Sequence, residues 1–295
     1  MLDHPYTDLT AGQWLRGNLH THTNRSDGRR PPQDVLDDYA ARGYGYVMIS
    51  DHDLFTSASD YQQWDARGMI LIPGNEITSN GPHLLHVDAD RFIAPSAQRQ
   101  QVINEVTGET GGAGQGFIIV NHPNWQGKFD HCTIAQMREW VGYVGMEIYN
   151  GTIGRLDGSP YATNKWDMLL SEGRRIWGFA NDDSHLPKDD VELGWNVTYV
   201  TQRSVAGVVA ALRAGRFYCS TGVRISDISV SGRHITIRTD NARRIVALKN
   251  IGQRFAVADG NTIEVDYPEE AKYVRFECWG DGEQFAWTQP FWKTP

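Results

Sequence analysis

The sequence contains no apolar run near the roughly 20 residues that a membrane-spanning helix requires, so no membrane partner is expected. Cysteine is scarce. Cys132, Cys219 and Cys278 lie far apart without CxxC spacing, which argues for reduced core thiols and against a disulfide framework. Basic residues are also short, with 28 Lys and Arg against 36 Asp and Glu and a net charge of −8. Nucleic-acid binding needs clustered Lys and Arg, so a polynucleotide is not expected as the main partner, a short nucleotide at most. Arg25, Arg29 and Arg30 form the one basic cluster near a motif, and a solvated loop explains it as well as a ligand does. The opening Met1-Leu2-Asp3-His4-Pro5 lacks a basic stretch followed by an apolar one, so no secretory signal is expected. Together with the reduced thiols, this points to a cytoplasmic protein. There is no internal repeat and no low-complexity tract.

What is present falls into two regimes, which predict a domain of residues 1–220 and a second of residues 221–295. In the first, short apolar runs alternate with helical stretches, the pattern of βαβ units around a parallel sheet. Helices are expected over Pro32–Arg42, Ala97–Val106, Ile134–Val141, Tyr161–Glu172 and Ser204–Ala214, with a Gly-rich loop over Thr107–Gly116. In the second, strand-like segments follow one another without a convincing helix. Ser231-Gly232 and Asp259-Gly260-Asn261 read as hairpin turns, and the whole as a small antiparallel β-sandwich.

In the first regime, apolar strands repeatedly end in His, Asp or Glu. In α/β barrels the C-terminal strand ends converge on one mouth, where the active site sits. His20-Thr21-His22 places two imidazoles at i and i+2, on one face of a strand, with Asp27 in the following loop. Asp51-His52-Asp53 follows a buried-looking strand. Three ionisable residues there are costly unless they coordinate or pair, so His52 is a ligand candidate and Asp51 or Asp53 a partner that orients a histidine. Glu76 ends Gly74-Asn75-Glu76. In His83-Leu84-Leu85-His86 only one histidine can face the mouth, and His83 is favoured over His86. His122 follows Phe117–Val120, and Asp183-Ser184-His185 repeats the i, i+2 logic. His4, His131 and His234 lie outside these motifs and are read as structural or surface residues.

The joint candidate set is His20, His22, Asp27, His52, Glu76, His83, His122, Asp183 and His185, more than a single zinc ion needs. It suits two or three divalent ions sharing a bridging carboxylate. Mixed nitrogen and oxygen ligation without thiolate fits Zn, Mn or Fe equally. Such a pocket would be net positive in an acidic protein, which favours a small anionic substrate such as a phosphate ester.

The order HTHT…SDG, SDHD, GNE, NHP and DDSH resembles the polymerase and histidinol phosphatase (PHP) family over roughly residues 15–215. The resemblance implies a distorted (βα)7 barrel with a di- or trinuclear centre. It implies His20, His22, Glu76 and Asp183 on one ion, Glu76, His83 and His122 on a second, and Asp27, His52 and His185 on a third, with Glu76 as the bridge. The tail, from Gly215-Arg216-Phe217-Tyr218 to Ala286-Trp287-Thr288-Gln289-Pro290, is similar to the C-terminal β module of a branch that includes carbaryl-hydrolase-type enzymes. The segment Gly81-Pro82-His83-Leu84-Leu85-His86 departs from that branch.

The function expected is a metal-dependent phosphoesterase that hydrolyses a small phosphate mono- or diester with a metal-bound hydroxide. Arg25 is a candidate phosphate clamp, Arg155 a second, and Asp53 a candidate acid for the leaving group. Glu147 ends a strand and either faces the mouth or pairs with a buried group. The rival readings are a carboxylester, carbamate or amide hydrolase and a non-catalytic metal-binding module. The oligomeric state is left open by the sequence.

Overall fold

The computed structural model describes residues 1–108, 116–187 and 190–294. Most of the expected Gly-rich loop, residues 109–115, lies outside the described residues. The chain is mixed α/β, with a sheet-rich C-terminal part. Local chemistry explains the helices. Pro32–Ala41 starts with proline in its first turn, carries Asp34 there, and buries Val35, Leu36 and Tyr39 at helical spacing. Ile134–Glu139 has a reciprocal capping box between Thr133 and Gln136. Val205–Arg213 is capped by the Ser204 hydroxyl, which accepts from Gly207 N at 3.1 Å.

The expectation of a (βα)7 barrel beside a separate sandwich is met only in part, because the strands form open sheets. A five-stranded sheet runs in the order Gly74–Ile77, Leu84–Val87, Phe117–Val120, Gly145–Asn150, Trp177–Asn181. Its first three strands pair antiparallel and the rest parallel. A nine-stranded sheet contains Ile70–Leu71, Tyr46–Val47 and Gln13–Asn18, then Trp195–Val200 and Phe217–Ser220. It continues through Phe285–Thr288, Val274–Trp279, Arg244–Lys249 and Gln253–Asp259. It therefore crosses residue 220 without a break, since Phe217–Ser220 pairs with Phe285–Thr288. The two large sheets meet at the strand ends through isolated parallel bridges, Thr21 to Ser184 and His52 to Glu76. Those bridges bring the motif residues of both sheets together.

The C-terminal part adds a three-stranded sheet of Ile225–Ser231, His234–Thr239 and Thr262–Asp266. Ser231-Gly232 does form a hairpin turn, between Ile225–Ser231 and His234–Thr239. Asp259-Gly260-Asn261 does not. It joins Gln253–Asp259 to Thr262–Asp266, which pair in different sheets, so it is a corner. The second hairpin turns instead at Asn250, Ile251 and Gly252, all in the left-handed region, and connects Arg244–Lys249 to Gln253–Asp259, a strand the sequence pattern did not reveal.

One apolar cluster fills the space under the strand ends and reaches from Leu19, Met48 and Ile119 to Tyr273, Trp287 and Trp292. A second binds the C-terminal sheets together around Ile235, Ile245 and Phe276, and includes Leu2 and Tyr6. Two polar devices link the regions. Gln289 acts as a strand partner, its Oε1 accepting from Gly178 N at 2.9 Å and its Nε2 donating to Gly178 O at 2.7 Å. Asp167 on the helix Thr163–Ser171 takes two parallel bonds from Arg275, each 2.7 Å, and one from Tyr273 Oη at 2.6 Å. No helix among the described residues is long and apolar enough to cross a membrane.

Candidate metal centre

All nine sequence-derived ligand candidates lie in overlapping clusters at the strand ends. His22, Asp27, His52 and His185 form one. His20, His22 and Glu76 form a second, His20, His122 and Asp183 a third, and His52, Glu76 and His83 a fourth. Glu76 lies in the middle and is fully buried. Its Oε1 lies 3.2 Å from His20 Nε2, 3.2 Å from His83 Nδ1 and 3.3 Å from His122 Nε2, and accepts from Asn121 Nδ2 at 2.6 Å. Its Oε2 lies 2.7 Å from His52 Nδ1 and 3.6 Å from His22 Nε2. His83, not His86, takes part, since His86 is buried within Leu84–Val87 and belongs to none of the clusters.

The backbone aims these groups by specific means. His20 and His22 alternate along one strand extension whose intervening Thr21 bonds Ser184 Oγ. His122 and Asp183 both adopt positive φ, uncommon for residues with a side chain. Asp183 is held there by Thr152 Oγ1, which donates to its carbonyl at 2.6 Å. His122 is held by Glu147, whose Oε2 accepts its backbone N–H at 2.8 Å.

Glu147 therefore belongs to the candidate site, which its sequence position only hinted at. Its Oε1 accepts from His20 Nδ1 at 2.8 Å and from Asn181 Nδ2 at 2.9 Å, and its Oε2 accepts from Asn150 Nδ2 at 2.8 Å. A carboxylate can only accept, so Nδ1 of His20 carries a proton, which leaves Nε2, facing the cluster, to take either a second proton or a metal ion. His131 lies outside the sequence motifs that suggest ligands, yet it joins His83 and His122 in a further cluster. Its Nε2 accepts the backbone N–H of His83 at 3.0 Å. No motif marked it, because it reaches the site from an irregular loop rather than from a strand end.

Whether these residues fit metal ions can be tested on the atoms themselves. His20 Nε2 meets Asp183 Oδ1 at 3.1 Å and Glu76 Oε1 at 3.2 Å, and His22 Nε2 meets Asp183 Oδ1 at 3.0 Å. Imidazole nitrogens and carboxylate oxygens converge there at contact distance. The buried Nε2 of His20, both ring nitrogens of His22, His83 Nδ1, His122 Nδ1 and Asp183 Oδ1 have no hydrogen-bond partner. Orphaned buried ring nitrogens and carboxylate oxygens of this kind demand protons or metal ions. The electrostatics agree. Burial alone would depress the His20 pKa, but Asp183, Glu76 and Glu147 outweigh it and raise it well above the usual value. Burial likewise opposes protonation of His52, yet Glu76 and Asp27 lift it to about 10. Burial dominates at His22, which falls to about 4, and at His131, which falls to about 2. Burial would raise the Glu76 carboxyl, but His20, His83 and His52 hold it well below the carboxylate range. The donor set fits divalent ions.

The other expected roles fare differently. Asp51 accepts from Thr23 N and Thr23 Oγ1 at 2.7 Å and from Ser26 Oγ at 2.8 Å, so it fastens the loop that carries Asp27 and orients no histidine. Asp53 is committed to the loop after Glu76, accepting from Thr78 N at 2.7 Å and Ser79 N at 3.0 Å. Arg25 donates to Thr56 Oγ1 at 3.1 Å and lies over Trp64. Neither Asp53 nor Arg25 lines the cleft, so the leaving-group acid and the phosphate clamp lose their positional basis. The cleft measures about 300 Å³ and opens over Asp27, His52, His83, His122, Asp183 and His185. Its outer wall includes Arg29, Trp125 and Arg155.

No family model matches the sequence, and no curated protein matches it. Similarity to solved structures is found. A two-domain protein from Bacteroides vulgatus containing a predicted PHP-like metal-dependent phosphoesterase aligns over 96% of both chains, with a TM-score of 0.56 and 17% identity. A protein from Bifidobacterium adolescentis assigned as a metal-dependent phosphoesterase aligns over 57% of this chain and 87% of its own, with a TM-score of 0.40 and 14% identity. An amidohydrolase from Chromobacterium violaceum, with bound sulfate and no metal, aligns over 59% of this chain and 89% of its own, with a TM-score of 0.37 and 14% identity. The chain thus shares the fold of the Bacteroides vulgatus protein over 96% of its length.

Proposed function

We propose that this protein is a metal-dependent phosphoesterase acting on a small phosphate mono- or diester. The observation that carries the reading is Glu76, a fully buried carboxylate set among the imidazoles of His20, His52, His83 and His122 at the floor of an open cleft. A structural ion would be closed off, whereas a catalytic one keeps an accessible side. The shared fold with a protein containing a predicted PHP-like phosphoesterase supports the same reading.

His20, His22, Glu76 and Asp183 would hold one ion, Glu76, His83 and His122 a second, and Asp27, His52 and His185 a third. The ions are Zn, Mn or Fe, since the donors are nitrogen and oxygen only. When bound, they would supply Lewis acidity towards the substrate and make water a better nucleophile at neutral pH. The protein's own contribution is positional. Glu147 fixes the His20 tautomer and the His122 backbone, Asp51 ties down the loop of Asp27, and His131 steadies the His83 backbone. Residues 1–220 would form the catalytic unit. Residues 221–295 would buttress it through Gln289 and the Arg275–Asp167 pair.

The partly apolar wall of the cleft, with Trp125 and Leu156, favours one second reading, hydrolysis of a carboxylic ester, carbamate or amide. Metal-loaded protein assayed on p-nitrophenyl phosphate, bis-p-nitrophenyl phosphate and p-nitrophenyl acetate separates the two. Phosphate ester turnover that is abolished by chelation is expected. Turnover of the acetate alone would refute the phosphoesterase assignment.

A further inference from the structure

The rim of the cleft carries information about the substrate beyond its phosphate. Trp125, Ile153, Leu156 and Leu186 supply apolar surface around the opening. Leu156 is 42% exposed, an apolar group left facing water at the mouth. The polar side chains beside them are already committed. Thr152 Oγ1 donates to the Asp183 carbonyl at 2.6 Å. Arg155 is tied through Nε and Nη2 to both oxygens of Asp190, at 3.1 and 2.7 Å, and Asp190 also accepts from His185 N and Leu186 N.

Arg29 is the exception. Its backbone N–H donates to the His185 carbonyl at 2.8 Å, which anchors it beside the centre. Its exposed guanidinium lines the cleft and has no carboxylate partner among the described residues. Of the Arg25, Arg29 and Arg30 cluster it is the member left free, because Arg25 bonds Thr56 and Arg30 pairs with Asp38 at 2.5 Å.

We propose that the substrate's alcohol part is a compact apolar group of about aryl size, seated against Trp125, Ile153 and Leu156, with its phosphate paired to Arg29. This rests on the phosphoesterase reading. Apart from the candidate ligands, the unengaged hydrogen-bonding groups of this wall among the described residues are the Arg29 guanidinium, Nη1 of Arg155 and the Trp125 indole N–H, so the several hydroxyls of a sugar or nucleoside would find few partners there on binding. A cleft of about 300 Å³ also sits at the small end of ligand sites.

The test is calorimetric binding of non-hydrolysable phosphonates to the metal-loaded full chain, with metal content measured alongside. Phenylphosphonate is expected to bind about tenfold or more tighter than methylphosphonate, since burying a ring adds apolar contact. Trp125→Ala should narrow that gap, and so should Leu156→Asn, an exposed position where misfolding is not a concern. Arg29→Ala should weaken both ligands by about tenfold or more at unchanged metal content, and Arg29→Lys should recover part of the loss. Equal binding of the two phosphonates, or ribose 5-phosphate outcompeting phenylphosphonate, overturns the apolar-alcohol proposal and leaves the phosphoesterase reading standing. Unchanged affinity in Arg29→Ala overturns the assigned pairing. If neither phosphonate binds and only p-nitrophenyl acetate is turned over, the phosphoesterase reading falls and this proposal with it.

Discussion

Substituting Glu147 by Gln is nearly isosteric, yet four neighbours forbid it from being neutral. Both carboxylate oxygens accept only from N–H groups: His20 Nδ1 and Asn181 Nδ2 on one, His122 N and Asn150 Nδ2 on the other. The asparagines cannot turn their amides over to compensate. Asn181 Oδ1 already accepts from Leu19 N at 3.1 Å and Asn196 Nδ2 at 3.0 Å, and Asn150 Oδ1 accepts from Ile153 N at 3.3 Å. A glutamine NH2 therefore faces donors whichever way it is placed. Directed at His122 and Asn150, it leaves buried donors unpaired, at a cost of about 1–3 kcal/mol. Directed at His20, it drives the imidazole proton from Nδ1 to Nε2 and removes the lone pair that would ligate. Either outcome predicts a loss of about 10–100-fold in metal affinity, or about 1.4–2.7 kcal/mol. Competition against a chromophoric chelator measures it, with the unfolding midpoint of the metal-free variant recorded as a control for general damage. Affinity within twofold of the parent protein, with the fold intact, would refute the argument that Glu147 sets the His20 tautomer.

Glu76→Gln should lower the number of bound ions by at least one, as read by elemental analysis after dialysis, because among the described residues it removes the one carboxylate that contacts His20, His52, His83 and His122 together. Metal removal should invert the pH dependence of stability. His52 is lifted to about 10 in the metal-free protein, where burial is outweighed by Glu76 and Asp27, so its protonated form contributes stability that is full below about 6.5 and lost as pH rises towards 10. Metal-loaded protein needs this imidazole neutral and should gain stability over the same window; unfolding midpoints from pH 6 to 9.5 with and without chelator should diverge, and parallel curves would contradict the site. Asp167→Ala removes both parallel bonds to the buried Arg275 and leaves it only Glu277, at 2.9 Å, so it should cost about 3 kcal/mol in chemical denaturation, with metal content per folded molecule unchanged.

The candidate ligands were legible because strand geometry converts sequence position into direction. His20 and His22, or Asp183 and His185, share a face by alternation alone, and an ionisable group after an apolar run has few inexpensive places to sit. Glu147 was half legible, as a strand-end carboxylate with two possible fates, and its contacts with His20 and His122 needed the packed structure. His131 carried no signal, since a loop residue has no periodicity to fix its direction. Arg25 illustrates the opposite error. It lies between His22 and Asp27 in sequence, but the loop turns its guanidinium towards Thr56 and Trp64, while Arg29 takes the cleft.

The C-terminal part shows the same division. Apart from Gln253–Asp259, its strands were readable from turn residues and alternation, but pairing partners are set by long-range contacts that a turn motif does not encode. Asp259-Gly260-Asn261 has hairpin chemistry and yet separates two sheets, because Gln253–Asp259 pairs with Arg244–Lys249 and Thr262–Asp266 with His234–Thr239. By itself, the sequence determined the alternation of apolar strands and helices, the chemical character of the strand ends and the nitrogen–oxygen donor set. Only the tertiary structure decided that the sheets stay open and run on past residue 220, which carboxylate orients which imidazole, and which arginine is left unpaired at the mouth. Those outcomes depend on residues far apart in the chain competing for the same hydrogen bonds, and that competition is resolved only when the whole chain is packed.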